Sequence, residues 1–170
     1  KYYTFHGTAR YKKNSRSGLN DNFPKIGAAL EATRQLCEKY GVALSLETVE
    51  WSTYNRPGVF KELLKYCPRL FATFDIKQTR ISGYPESEYL KETAGHISHV
   101  HVSDIDSCGK TCLPGRGTYN FEDLFRRLAD TGFNGAVMIE AYKDDYENVE
   151  ELKTAAVYLE EILYKLNLNG

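Results

Sequence analysis

Five times along this chain a short β-prone run gives way to a stretch with helical spacing, and the alternation never breaks. The runs are residues 2–6 (YYTFH), 42–47 (VALSLE), 70–75 (LFATFD), 96–104 (HISHVHVSD) and 136–142 (AVMIEAY). Each strand-plus-helix unit takes on the order of thirty residues, which is what a strand, a crossover helix and two turns require. Such a chain builds a parallel sheet, and right-handed crossovers bring the C-terminal ends of its strands to one face. The expected fold class is therefore α/β, of (β/α) barrel type, present as a partial barrel of about five βα units.

The helical stretches carry their own end signals. Asn22, Phe23 and Pro24 open one that runs to about Tyr40, with Ile26, Leu30, Thr33 and Cys37 at helical spacing and Gly41 to stop it. Shorter helices are expected over 59–66, before Pro68, and over 86–94, before Gly95. Asn120 is placed to cap a helix over 121–131, with Phe121, Leu124, Phe125 and Leu128 on one face. The last helix begins near Glu147 and shows a stripe of Leu152, Ala155, Ala156, Leu159, Ile162, Leu163 and Leu166. Residues 8–22, 48–58, 76–85 and 106–120 read as loops, Gly-rich in the last case.

The strands end on a particular chemistry. At their C-terminal ends stand His6, Glu47, Asp75, His101 and Glu140, all metal-ligand or acid–base types. Side-chain alternation sets each on the less apolar face of its strand. Ala43 and Ser45 lie with Glu47, Thr73 with Asp75, His99 with His101, and Met138 with Glu140, while Leu44, Leu46, Phe74, Val100 and Ile139 face the other way. In a barrel the first set points inward and its tips meet at the top, where such folds keep their sites. One polar strand end is commonplace; five of matching chemistry point to a site. Three carboxylates and an imidazole make a hard, oxygen-rich set that favours Mn²⁺, Mg²⁺ or Co²⁺, with Zn²⁺ also admissible. Carboxylates gathered so closely also repel without a cation.

Composition narrows the class. A net charge of -1 gives no electrostatic footprint for nucleic acid or an anionic membrane. No apolar run approaches the length of a membrane span. Four cysteines, Cys37, Cys67, Cys108 and Cys112, do not make a disulfide scaffold, so a reducing compartment such as the cytoplasm is expected.

Taken with their order and spacing, LET at 46–48, FDIKQ at 74–78, HVHVSD at 99–104, LPGRG at 113–117 and GFNGAVMIEAY at 132–142 resemble the xylose isomerase-like barrels. That group includes sugar-phosphate isomerases and epimerases and an endonuclease IV branch. The resemblance implies that Glu47, Asp75, His101 and Glu140 hold a divalent metal, and that Glu47 and Glu140 also act as acid–base groups across the carbon of a small sugar substrate. His6, Lys77, Gln78 and Arg116 are the expected substrate ligands. The pattern departs in two places. Gln78 stands where a histidine often follows the aspartate, and Ser107 lies where ketose epimerases carry an arginine. Glutamine neither carries a proton nor binds zinc well, which disfavours the alternative of a trinuclear zinc enzyme acting on abasic DNA. A further alternative is a truncated, non-catalytic barrel. A full barrel takes about 250 residues, so this single domain over 1–170 matches the C-terminal five units, and the expectation is that the N-terminal strands are missing and that copies associate as a homo-oligomer.

Overall fold

A computed structural model describes residues 1–7 and 22–166; most of the expected loop over 8–22 lies outside these. Five strands form one parallel sheet: β1 (Tyr2–Phe5), β2 (Ala43–Glu47), β3 (Phe71–Asp75), β4 (Ile97–Val102) and β7 (Ala136–Ile139), in the order β1-β2-β3-β4-β7. Six helices are spaced between and after them: α1 (Phe23–Lys39), α2 (Val59–Leu64), α3 (Ile76–Ser82), α4 (Glu86–Glu92), α5 (Phe121–Asp130) and α6 (Val149–Lys165). This is the partial (β/α) barrel that the alternation predicts.

The caps follow the sequence. Asn22 accepts the Lys25 N–H at 3.1 Å and Asn120 accepts the Asp123 N–H at 3.0 Å, each satisfying a donor that the first helical turn leaves free. The last helix starts at Val149 because Asn148, rather than Glu147, provides its cap. Leu44, Leu46, Ala72, Phe74, Val100 and Val102 are wholly buried on the helix side of the sheet, against Phe60, Leu63, Tyr89 and Leu124 among others.

Two expected loops contain regular structure. Residues 76–85 open with helix α3, which the sequence hides because Asp75 has two tasks: it ends β3 and caps the helix, accepting the Gln78 N–H at 2.9 Å. The Gly-rich stretch after β4 holds an antiparallel pair, β5 (Asp104–Ile105) and β6 (Thr111–Cys112). The fully buried carboxylate of Asp104 closes this loop. It accepts backbone N–H groups from Ile105, Gly115, Gly117 and Tyr119 at 2.8, 3.0, 3.0 and 2.9 Å.

The face opposite the helices carries a polar layer where a core would usually be apolar. Thr4, Ser45, Thr73, Ser98 and His99 are joined side chain to side chain, with Ser45 Oγ 2.7 Å from both Thr73 and Ser98 and His99 Nε2 3.0 Å from Thr4. Ser98 enters this layer beside His99 because β4 carries one extra residue. Ala72 pairs with Ile97 but Thr73 pairs with His99, so Ser98 bulges from the ladder. Gly135 makes room for the bulge, since a Cβ there would lie 2.1 Å from the Ser98 carbonyl oxygen.

Candidate active site

Above the polar layer the strand tips converge. Glu47, Asp75, His101 and Glu140 each present a ligand atom, and those atoms all lie within 4.8 Å of one another. Glu47 and Glu140 belong to strands three positions apart in the sheet, roughly 14 Å at ordinary strand spacing. Only the inward curvature of the sheet lets their carboxylates meet. Glu140 stands one residue beyond β7, and its N–H bonds to the Val102 carbonyl at 2.9 Å, which continues the ladder by one step.

The geometry fits a cation. His101 Nδ1 lies 3.3 Å from Glu47 Oε1 and 3.8 Å from Asp75 Oδ2. Burial opposes a charge on His101, but the Asp75 and Glu47 carboxylates outweigh it and raise the imidazole to about 9. Burial, with the Asp75 carboxylate alongside, pushes Glu140 up against the opposing pull of Lys77. Asp75 Oδ1 is held by the Gln78 N–H, whereas Asp75 Oδ2 is buried with no hydrogen-bond partner. A carboxylate oxygen buried without a hydrogen bond is costly; His101 at 3.8 Å offsets this only in part, and a divalent ion among these four residues would satisfy it.

Two further residues brace the outer glutamates. His6 Nε2 lies 3.0 Å from Glu47 Oε2, and Trp51 stands edge-on to the His6 ring at 5.6 Å. On the opposite flank Lys77, almost fully buried, donates to Glu140 Oε2 and to the Tyr142 hydroxyl, both at 2.8 Å. Burial disfavours its charge, yet these two bonds more than compensate and its pKa rises. The ammonium also sits 4.3 Å from the centre of the Tyr142 ring. His99 lies below, in the polar layer; burial and the neighbouring His101 lower its pKa.

The other two residues expected to meet substrate are engaged elsewhere. Gln78 Oε1 accepts the Glu50 N–H at 3.3 Å and so ties the loop after β2 to α3. Arg116 pairs with Glu151 of α6 at 3.1 Å. Sequence reasoning passed over Tyr142. It lies just past a strand end but is not a metal-ligand type, so the search for ligand chemistry had no reason to stop at it. Cys108 and Cys112 are free thiols.

Fold and strand-tip geometry together define a class, and comparison with known proteins agrees. The chain belongs to the xylose isomerase-like TIM barrel family, which it matches over residues 1–162. It is similar to fructoselysine 3-epimerase of Escherichia coli O157:H7, 30% identical over 74 residues, covering 43% of this chain and 27% of that protein. It is also similar to inosose dehydratase of Clostridium botulinum strain Eklund 17B, 30% identical over 93 residues, covering 44% of this chain and 31% of that protein. The matched regions thus span less than a third of either relative. Among solved structures, the IOLI protein with a bound zinc atom superposes with a TM-score of 0.77 at 22% identity, over 97% of this chain and 63% of that one. No helix among the described residues is long and apolar enough to cross a membrane.

Proposed function

We propose that the protein is a divalent-metal-dependent sugar isomerase or epimerase that moves a proton next to a carbonyl. The observation that carries this reading is the convergence of Glu47, Asp75, His101 and Glu140, with Asp75 Oδ2 buried between them without a hydrogen bond. These four residues would hold the metal, whether Mn²⁺, Mg²⁺, Co²⁺ or Zn²⁺. When bound, the ion supplies a Lewis acid that polarises the substrate carbonyl and lowers the cost of an enediolate. The 3-epimerase relative supports the substrate class, and the zinc-bound IOLI neighbour supports the binding of a divalent ion.

The residues of the chain supply the proton chemistry. Glu47 and Glu140 approach from opposite flanks of the cluster, as an acid and a base on two faces of one carbon require. One carboxylate takes the proton from the carbon beside the carbonyl and leaves an enediolate. The other, entering protonated, gives its proton to the opposite face, which inverts the centre, or to the adjacent carbon, which moves the carbonyl when the hydroxyl proton also passes to the former carbonyl oxygen. His6 and Lys77 hold the outer oxygens of the two glutamates and line the approach to them.

Few imidazoles remain for a trinuclear zinc phosphodiesterase. Besides His101, His6 contacts Glu47, His96 bonds the Leu70 carbonyl, and His99 belongs to the polar layer. This supports the sugar reading over one with abasic DNA as substrate. Metal content measured by plasma mass spectrometry, beside a screen of ketoses, tests it. About one divalent ion per chain, lost in Glu140→Gln together with turnover, is the expected result. No bound metal, or three zinc ions with cleavage of abasic DNA, would overturn it.

A further inference from the structure

Lys77 stands in an unfavourable place. It is the second residue of α3, in the first turn, where a helix tolerates a cation least. The residue is also only 5% exposed, and burial penalises its charge. A lysine free to turn out into water would escape both costs, so something holds it in.

Its contacts show what does. The ammonium donates to Glu140 Oε2 and to the Tyr142 hydroxyl, both at 2.8 Å. It thereby joins the segment after β3 to the segment after β7, across the strand between them. The face of the Tyr142 ring lies 4.3 Å from the same ammonium. Tyr142 is fixed in turn through its backbone, since its N–H donates to Asp145 Oδ2 at 2.7 Å and its carbonyl accepts the Asp145 N–H at 2.9 Å.

The two outer glutamates are held differently. Glu47 has an imidazole at each oxygen, His101 at 3.3 Å and His6 at 3.0 Å, and is almost fully buried. Glu140 stands one residue past β7, and its side chain is 31% exposed. Among the described residues Lys77 is the one donor to its carboxylate. The aim of Glu140 therefore rests on one contact, and that contact is steadied by Tyr142.

We propose that Lys77 is a positioning residue: tethered by Tyr142, it holds Glu140 Oε2 and keeps Oε1 directed into the cluster, where the metal and the reacting carbon would lie. The inference rests on the sugar reading given above and deepens it. Lys77 then acts through Glu140 and is not itself a substrate ligand. Two of its three N–H groups are taken, and burial shields the third.

The test uses Lys77→Met, which keeps an unbranched side chain without the ammonium, and Tyr142→Phe, which keeps the ring face without the hydroxyl. Both are assayed as metal-loaded protein on a ketose that the native protein converts. Lys77→Met is expected to retain its metal, to lower kcat about a hundredfold and to leave KM within about twofold, because a misaimed carboxylate slows proton transfer without weakening binding. Tyr142→Phe is expected to lower kcat about tenfold with the same constant KM. Tyr142 is half exposed, so this variant decides the matter should Lys77→Met not fold. A second readout needs no turnover. In metal-free protein, the effect of Lys77→Met on the unfolding constant is expected to shrink about fivefold or more when Glu140→Gln is already present. Additive effects in that cycle would overturn the tether. A raised KM at native kcat would make Lys77 a substrate ligand and overturn the proposal, as would native kcat in both variants. Metal-loaded native protein that converts no ketose overturns the sugar reading, and the catalytic role of the tether with it; the stability cycle still decides whether Lys77 holds Glu140.

Discussion

The two oxygens of Asp75 are held differently, and that difference shapes the site. One caps α3 through the Gln78 N–H, which fixes the carboxylate plane and turns the other oxygen into the cluster. His101 is bound to the same cluster by charge. With its folded-state pKa raised to about 9, it holds a proton that the unfolded chain releases near 6.5. The stabilisation is fully present below pH 6.5 and is lost as pH rises through about 9. A metal must displace that proton, so its affinity is expected to increase roughly tenfold per pH unit up to about pH 9 and then level off. Titration of Mn²⁺ or Zn²⁺ binding across this range checks the slope; a flat profile would show that His101 is unprotonated in the metal-free protein. The clustering of Glu47, Asp75, His101 and Glu140 was legible in the sequence because each stands at the C-terminal end of a strand, is of ligand type and has its face set by alternation. Tyr142 was not, because what marks it is a contact with Lys77, which is not a property of residue type or spacing.

At the scale of elements, β4 is the irregular one. Its extra residue, Ser98, joins the polar layer to the Ala72 carbonyl, which it reaches at 3.1 Å, and presses its own carbonyl against Gly135 at the start of β7. Gly135→Ala would put a methyl group into backbone that cannot move aside. It is expected to lower stability by about 1–3 kcal/mol, the usual penalty of overpacking, read as a reduced urea midpoint with an unchanged slope. A midpoint equal to that of the native protein would mean that the bulge can relax. The strands and five of the helices were readable from period and caps. Helix α3 was not, because Asp75 both ends β3 and caps the helix, and residue type alone does not separate a cap from a ligand. The bulge was not, because HISHVHVSD alternates cleanly in sequence and only pairing with a neighbour reveals the extra residue. The β5–β6 pair was hidden by glycine content that also describes an open loop.

For the whole molecule, the order β1-β2-β3-β4-β7 separates the four clustered residues by up to three strands, so the cluster depends on the sheet as a unit. A metal that binds the folded chain alone stabilises it by about 2.7 kcal/mol at a hundred times its dissociation constant. For a domain of this size the melting temperature is then expected to rise by roughly 5–10 °C. Differential scanning calorimetry checks this, and Glu140→Gln is expected to abolish the shift. An equal rise in that variant would place the ion elsewhere. The parallel half-barrel was legible because alternation of strand and helix permits little else. The curvature that draws Glu47 and Glu140 together was not, since it arises from packing and pairing across the whole sheet.

Asp104 adds a consequence of another kind. By gathering four backbone N–H groups from both ends of its loop, this one carboxylate fixes where the loop leaves β4 and where it returns, while Asp106 closes the tip by accepting the Cys108 and Lys110 N–H groups at 2.8 Å. The stretch around Gly109 behaves as a cassette on a clamped stem. Its tip is expected to accept exchange or lengthening while the strands beneath keep their order, because the clamp that sets the two ends of the loop lies outside it.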